Sequence, residues 1–308
     1  MSSIYDEDKK TISEDVFYLN YGASGINPAL DLKSLSSLFQ ELLPKRNPLT
    51  EARHREVFSD SRVNEYYSQT CDFCARPMTN THVEILPDGR IRCERCSQDQ
   101  IETKEEFQTL YMICRKNFEN LFKVELPQGI QAHLSSHLDW PDQLVYLSSL
   151  SKEGSLLHRL GMVCKNGHHY EIYLENGLSR LSAMVILICA FTLIWQDSTF
   201  SLSTLQEKTK SLNSTHYEEI IQAWQMGMAL WTGVEYLWLK GEISFAKEND
   251  QLNQTEESII QKGYLYFKER YPFQADRDQL VAHNPLKIKK YFQTISSLNT
   301  FLDQEFKW

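Results

Sequence analysis

Cys71-Asp-Phe-Cys74 and Cys93-Glu-Arg-Cys96 form two C-x-x-C pairs separated by 18 residues. Two such knuckles bring four thiolates around one tetrahedral ion, the arrangement zinc prefers. The residues between them fit that purpose. Thr81-His-Val-Glu-Ile-Leu86 alternates in polarity, Pro87-Asp-Gly-Arg90 is a turn, and Ile91-Arg-Cys93 returns. This predicts a β-hairpin holding the knuckles in register. Four sulfurs leave no open coordination position, so a zinc at Cys71, Cys74, Cys93 and Cys96 is expected to be structural, one per chain. His82 lies between the knuckles but is not needed as a ligand.

A second stretch, Gly177-Leu-Ser-Arg-Leu-Ser-Ala-Met-Val-Ile-Leu-Ile-Cys-Ala-Phe-Thr-Leu-Ile-Trp195, carries the longest apolar run of the chain, Leu181 to Trp195. It is about five residues short of the roughly 20 that span a bilayer, and a helix buried on all sides is expected. No membrane association follows from it.

Composition narrows the classes. A chain of 308 residues can form one large domain or two to three smaller ones. A net charge of −9 argues against a broad nucleic-acid footprint or an anionic-membrane surface. Seven cysteines, four of them in paired spacing, suggest a reducing compartment and a metal rather than disulfides. The polar start, Met1-Ser-Ser-Ile-Tyr-Asp-Glu-Asp-Lys-Lys10, has no apolar run of the secretory kind. A soluble, cytoplasmic protein is the expectation.

Residues 1–70 read as a helical accessory region. Asp31 is placed to cap a helix bearing Leu32, Leu35, Leu38, Phe39, Leu42 and Leu43, and Tyr21-Gly-Ala-Ser-Gly25 reads as a turn. Residues 71–125 hold the zinc hairpin and a connecting helix that runs to about Val124. That helix has Phe107, Leu110, Tyr111, Cys114, Phe118, Leu121 and Phe122 on one face. Residues 126–308 form the remainder. Leu157 to Leu174 reads as a hairpin turning at Asn166-Gly167. Helices follow at 178–195, near 202–211, from about Tyr217 to Lys240 and from about Thr255 to Arg270. A last helix opens at Asn284-Pro285.

Other candidate chemistry is weaker. His133-Leu-Ser-Ser-His137 has i,i+4 spacing but no adjacent glutamate, and reads as surface histidines on a helical turn. His168 and His169 follow a hairpin turn. Cys164 or Cys189 could pair with His158, His168 or His169, though nothing local activates a thiol. Arg76, Arg90, Arg92 and Arg95 give the zinc hairpin a basic side that Glu84, Asp88 and Glu94 offset.

The zinc hairpin, the helix with Phe107-Gln-Thr-Leu-Tyr111 and the later apolar stretch together resemble the DA-family LIM peptidases, which restrict organ growth in plants and have shorter bacterial relatives. The resemblance spans roughly residues 71–308 and is most specific in the zinc hairpin and at 174–195. In that family a strand ending in Gly-Leu-Pro-Arg-Leu precedes an active-site helix of the pattern I-L-A-H-E-M-M-H-A-W. Here Gly177-Leu-Ser-Arg-Leu181 matches the entry, Ile186-Leu187 the lead-in and Trp195 the exit. Cys189 then stands at the first zinc histidine, Ala190 at the general-base glutamate and Leu193 at the second histidine.

The family's third ligand, a glutamate on the next helix, falls on Glu218 or Glu219 in one alignment. It falls on Gly227-Met228 if the Tyr236-Leu-Trp-Leu239 end is matched instead. H-E-x-x-H works because two imidazoles one turn apart grip one ion while the glutamate deprotonates its water. Cys-Ala-Phe-Thr-Leu keeps at most one soft ligand and no base.

The resemblance therefore implies an α+β fold: a LIM-like zinc-ribbon hairpin followed by a gluzincin-like metallopeptidase domain, largely helical with a small sheet. It also implies a catalytically inactive peptidase homologue acting through a protein partner, as an interaction or regulatory protein. Active plant members are linked to ubiquitin, but no ubiquitin-interacting helix is evident in this chain. A zinc-dependent peptidase using replacement ligands and a nucleic-acid-binding zinc ribbon remain as alternatives.

Overall fold

The computed structural model describes residues 70–74, 76, 83–86, 90–136, 140, 145–146, 160–200, 215–255, 259–273, 280 and 284–287. The expectations for residues 1–69, for a helix at 202–211 and for a helix beyond Lys287 lie outside them.

Strands β1 (Val83–Ile85) and β2 (Ile91–Cys93) pair antiparallel, with Val83 opposite Cys93 and Ile85 opposite Ile91. This is the hairpin predicted between the knuckles. A short helix α1 (Glu94–Gln98) grows directly from β2 and carries Cys96 inward. The chain then breaks before α2 (Lys104–Phe122), where the sequence suggested one continuous helix. The break has a local cause. Thr103 caps α2 by accepting from the Glu106 backbone N–H, while the Glu106 carboxylate reaches back to the Thr103 N–H. This capping box satisfies donors that a continuous helix would have bonded internally.

A four-stranded sheet follows, built from β3 (Ile130–Ser135), β4 (Val145–Tyr146), β5 (Gly161–Asn166) and β6 (His169–Glu175). Its order is β3-β6-β5-β4, with β3 parallel to β6 and the other pairs antiparallel. Asn166 pairs with His169, so the two turn residues are Gly167 and His168, one position later than the Asn-Gly signal implied. Gly167 has φ +60 and His168 no positive φ, the pattern of a type II′ turn with glycine first.

Helix α3 (Arg180–Phe200) is enclosed by the described elements around it. Ala183 to Asp197 is buried without a break, which explains why no amphipathic face can be read from its sequence. By length and composition it could cross a membrane, but 89% of its most apolar window is enclosed by the rest of the chain. One side takes the ring of Phe191 against Tyr111 and Phe118 of α2. Another faces β5 and β6. A third packs on α4 (Thr215–Leu239), which runs antiparallel to it. Gln196 Nε2 donates to the Gln225 carbonyl, whereas Val185 lies beside Gly233 at the other end. Each large apolar side chain so enclosed contributes about 1.5–3 kcal/mol relative to exposure.

Helices α5 (Ile243–Thr255) and α6 (Ile259–Arg270) complete the helical side, and Pro285–Lys287 forms a 3-10 turn. The sequence reading placed only one helix here and missed α5. Helices α4 and α6 touch backbone to backbone. A Cβ on Gly263 would stand 1.9 Å from the Ala223 carbonyl oxygen, and one on Gly227 would stand 2.2 Å from the Gly263 carbonyl carbon. Among the described residues, one hydrophobic core runs from Cys71 and Phe73 through Phe118 and Ile188 to Leu286.

Candidate metal centre

The four predicted cysteines come together. The sulfurs of Cys71, Cys74, Cys93 and Cys96 all lie within 4.8 Å of one another, and all four residues are buried. A regular tetrahedron with Zn–S bonds near 2.3 Å has sulfur–sulfur edges of about 3.8 Å. The Cys74–Cys93 separation is 3.7 Å. Donor type, number and spacing thus fit a metal ion such as zinc. Among the described residues no other group of three or more His, Cys, Asp or Glu side chains converges in this way.

Backbone hydrogen bonds also shape the surroundings of the sulfurs. The Cys71 N–H donates to the Arg76 carbonyl at 2.8 Å, closing the first knuckle. The Asp72 N–H donates to the Ile91 carbonyl, and the Asp72 carboxylate accepts from the Ile91 N–H, tying that knuckle to β2. The Cys93 N–H donates to Cys71 Sγ at 3.3 Å, the kind of bond that stabilises thiolate over thiol. Hydrogen bonding from Cys74 holds Cys71 down to about 6 and bonding from Cys71 lowers Cys93, while hydrogen bonds with Cys71 push both Cys74 and Cys96 up.

The four arginines of this region all meet carboxylates. Arg92, almost wholly buried, forks onto Glu84 at 2.8 and 3.0 Å and donates to the Gly177 carbonyl at 3.0 Å. Arg90 pairs with Glu175, and Arg76 and Arg95 both pair with Glu248 of α5. The guanidiniums of Arg90 and Arg92 also lie over the buried Phe73 ring, at 5.1 and 5.5 Å from its centroid. Glu84 and Arg92 sit directly opposite each other across the hairpin. Nothing local in the sequence points to Glu248, which lies 153 residues beyond Arg95.

The predicted peptidase-like positions are elsewhere. Cys189, Ala190 and Leu193 are fully buried at the middle of α3. Cys189 Sγ donates to the Ala229 carbonyl at 3.2 Å, and a Cβ on Gly233 would stand 2.8 Å from that sulfur. The α4 residues facing Cys189 are therefore Ala229 and Gly233, and neither side chain can ligate a metal. Glu218 and Glu219, proposed as a vestigial third-ligand position, fall in the first two turns of α4. Glu219 is exposed and lies ten residues from Ala229, about 15 Å along the helix. The alternative position, Gly227, is occupied by the contact with α6.

The remaining candidates separate. His133 is on strand β3, not on a helical turn, and its ring stacks on Tyr173 at 4.7 Å. His137, His82 and His158 lie outside the described residues. His168 and His169 are exposed at the β5–β6 turn. Burial pushes the thiols of Cys164 and Cys189 up to about 12, the reverse of what a nucleophile needs. One polar cluster escaped the sequence reading. Buried Asp197, near the end of α3, accepts from Lys165 Nζ and from the Tyr170 hydroxyl, both at 2.8 Å. It anchors the helix to β5 and β6.

Comparison with protein-family models, with curated proteins and with solved structures finds no match. The chain is thus defined by its own features: a mixed helix-and-sheet fold in which helix predominates, with a buried four-cysteine cluster that could hold a metal ion such as zinc.

Proposed function

We propose that this protein is a catalytically inactive relative of zinc peptidases that binds one structural zinc at Cys71, Cys74, Cys93 and Cys96 and acts by contacting a protein partner. The observation that carries this reading is the environment of Cys189. A hydrolytic zinc site needs ligands around a water-accessible ion and a base beside it. Cys189, Ala190 and Leu193 are instead wholly buried, with Cys189 against Ala229 and Gly233. The LIM-like and gluzincin-like parts of the reading rest on the motif resemblance, supported by the hairpin between the knuckles and by the strand β6 that leads into α3.

When bound, the zinc would cross-link the two knuckles and supply folding energy. The residues of this chain do the rest: Arg92 seats the hairpin against Gly177 at the entry to α3, and Asp72 pins the first knuckle to β2. The pairing of Arg76, Arg90, Arg92 and Arg95 with carboxylates speaks against these side chains serving a nucleic-acid backbone.

The test is a cleavage assay with unstructured polypeptide and a mixed peptide pool, with and without added zinc. No turnover above background is expected. Zinc-dependent cleavage that disappears in Cys189→Ala, with the fold retained, overturns the reading.

A further inference from the structure

We infer that metal binding at the four cysteines sets the position of helix α5, through two arginines, one beside each knuckle, that converge on the single carboxylate of Glu248; this rests on the metal reading above. Arg76 follows the first knuckle and Arg95 lies within the second. Both guanidiniums reach Glu248, Arg95 Nη1 at 3.2 and 3.4 Å, and Ser244 Oγ adds a third donor at 3.2 Å. Arg95 also covers the ring of Phe245, one turn before Glu248, at 4.8 Å from its centroid.

Two donors carried on separate knuckles can meet one acceptor only while the knuckles hold a fixed relation. A metal shared by Cys74 and Cys96 imposes that relation, because each arginine stands within two residues of one of these ligands. Loss of the ion leaves the Asp72–Ile91 hydrogen bonds as the tie between the knuckles; that tie alone lets them shift, and the fork onto Glu248 opens.

The far side of α5 transmits the effect. Asp250 accepts from the Tyr264 hydroxyl at 2.7 Å and pairs with Lys268 of α6. The metal centre is therefore linked to α6, and through the Gly227–Gly263 contact to α4. Coupling of this kind is reciprocal: whatever loosens Glu248 weakens metal binding by the same factor.

The experiment is hydrogen–deuterium exchange on the full chain, zinc-loaded and after chelation, in the wild type and in Glu248→Gln, with zinc content measured on the same samples. In the wild type, chelation is expected to raise exchange in 243–255 as well as in 83–96. In zinc-loaded Glu248→Gln, 83–96 stays protected while 243–255 exchanges as fast as in the chelated wild type. Zinc affinity falls about five-fold or more. Because the variant is read with zinc in place, general unfolding on chelation does not blur the result. Unchanged protection of 243–255 in zinc-loaded Glu248→Gln overturns the coupling alone. A wild-type chain that takes up no zinc overturns the metal reading and the coupling with it.

Discussion

Cys189 Sγ lies 3.2 Å from the carbonyl oxygen of Ala229, so the side chain at the middle of the most apolar helix is spent on a contact with its neighbour's backbone. That contact explains why Gly233, one turn after Ala229, has no side chain. An alanine there would place its Cβ 2.8 Å from the sulfur and 3.3 Å from Val185. Gly233→Ala should cost about 1–3 kcal/mol by overpacking. In a Cys189→Ala background the cost should shrink, because the obstructing sulfur is gone. Urea unfolding of the two single variants and the double variant checks this; strict additivity would show that the contact is not tight.

The crossing of α4 and α6 is less forgiving, since the obstacle is backbone. Gly263→Ala brings a methyl to 1.9 Å from the Ala223 carbonyl oxygen, and no rotamer change relieves it. A loss of about 3 kcal/mol or more is expected, at the upper end for overpacking. A midpoint in urea unchanged from wild type would contradict the crossing as described.

Arg92 joins the hairpin to the entry of α3. Its replacement by glutamine leaves Glu84 without its fork and the Gly177 carbonyl without its donor. Glu84 is partly exposed, which moderates the penalty, and about 2 kcal/mol is expected. Arg92→Lys should not rescue it, because one ammonium cannot serve a carboxylate fork and a carbonyl together. Stability of both variants by chemical unfolding is the measurement, and full rescue by lysine would refute the geometry.

His133 gives a pH signature. Burial holds its imidazole below the ordinary range, against the opposing pull of Glu171. The unfolded chain therefore takes up a proton near pH 6.5 that the folded chain declines. Stability from this residue is complete above that pH and is lost as the pH falls through the lower folded value. The stability lost by the wild type between pH 7.5 and pH 5 should exceed that lost by His133→Gln. Equal losses would mean that His133 titrates normally.

How much of this was legible in the sequence depended on where the relevant interaction lay along the chain. The cysteine knuckles and hairpin were readable because ligand spacing, strand alternation and turn chemistry are all local. Burial of 181–195 was readable from its continuous apolar run, but the partners of that helix were not, since a stripe buried on every side has no period to orient it. Helix α5 has no legible apolar stripe because its buried positions are Phe245, Ala246, Asn249 and Asn253, half of them polar. The helical turn expected at His133 gives way to a strand because β6 pairs with it from 40 residues away, a partner that i,i+4 spacing cannot reveal. The convergence of Arg76 and Arg95 on Glu248 spans more than 150 residues, and no short-range pattern announces it.

Zinc content per chain, measured by elemental analysis on protein purified without added metal, tests the central claim most directly. The account requires one zinc per chain, reduced to near zero in the Cys71→Ser, Cys96→Ser double variant and unchanged in Cys189→Ala. Two zincs per chain, with one lost in Cys189→Ala, would contradict it.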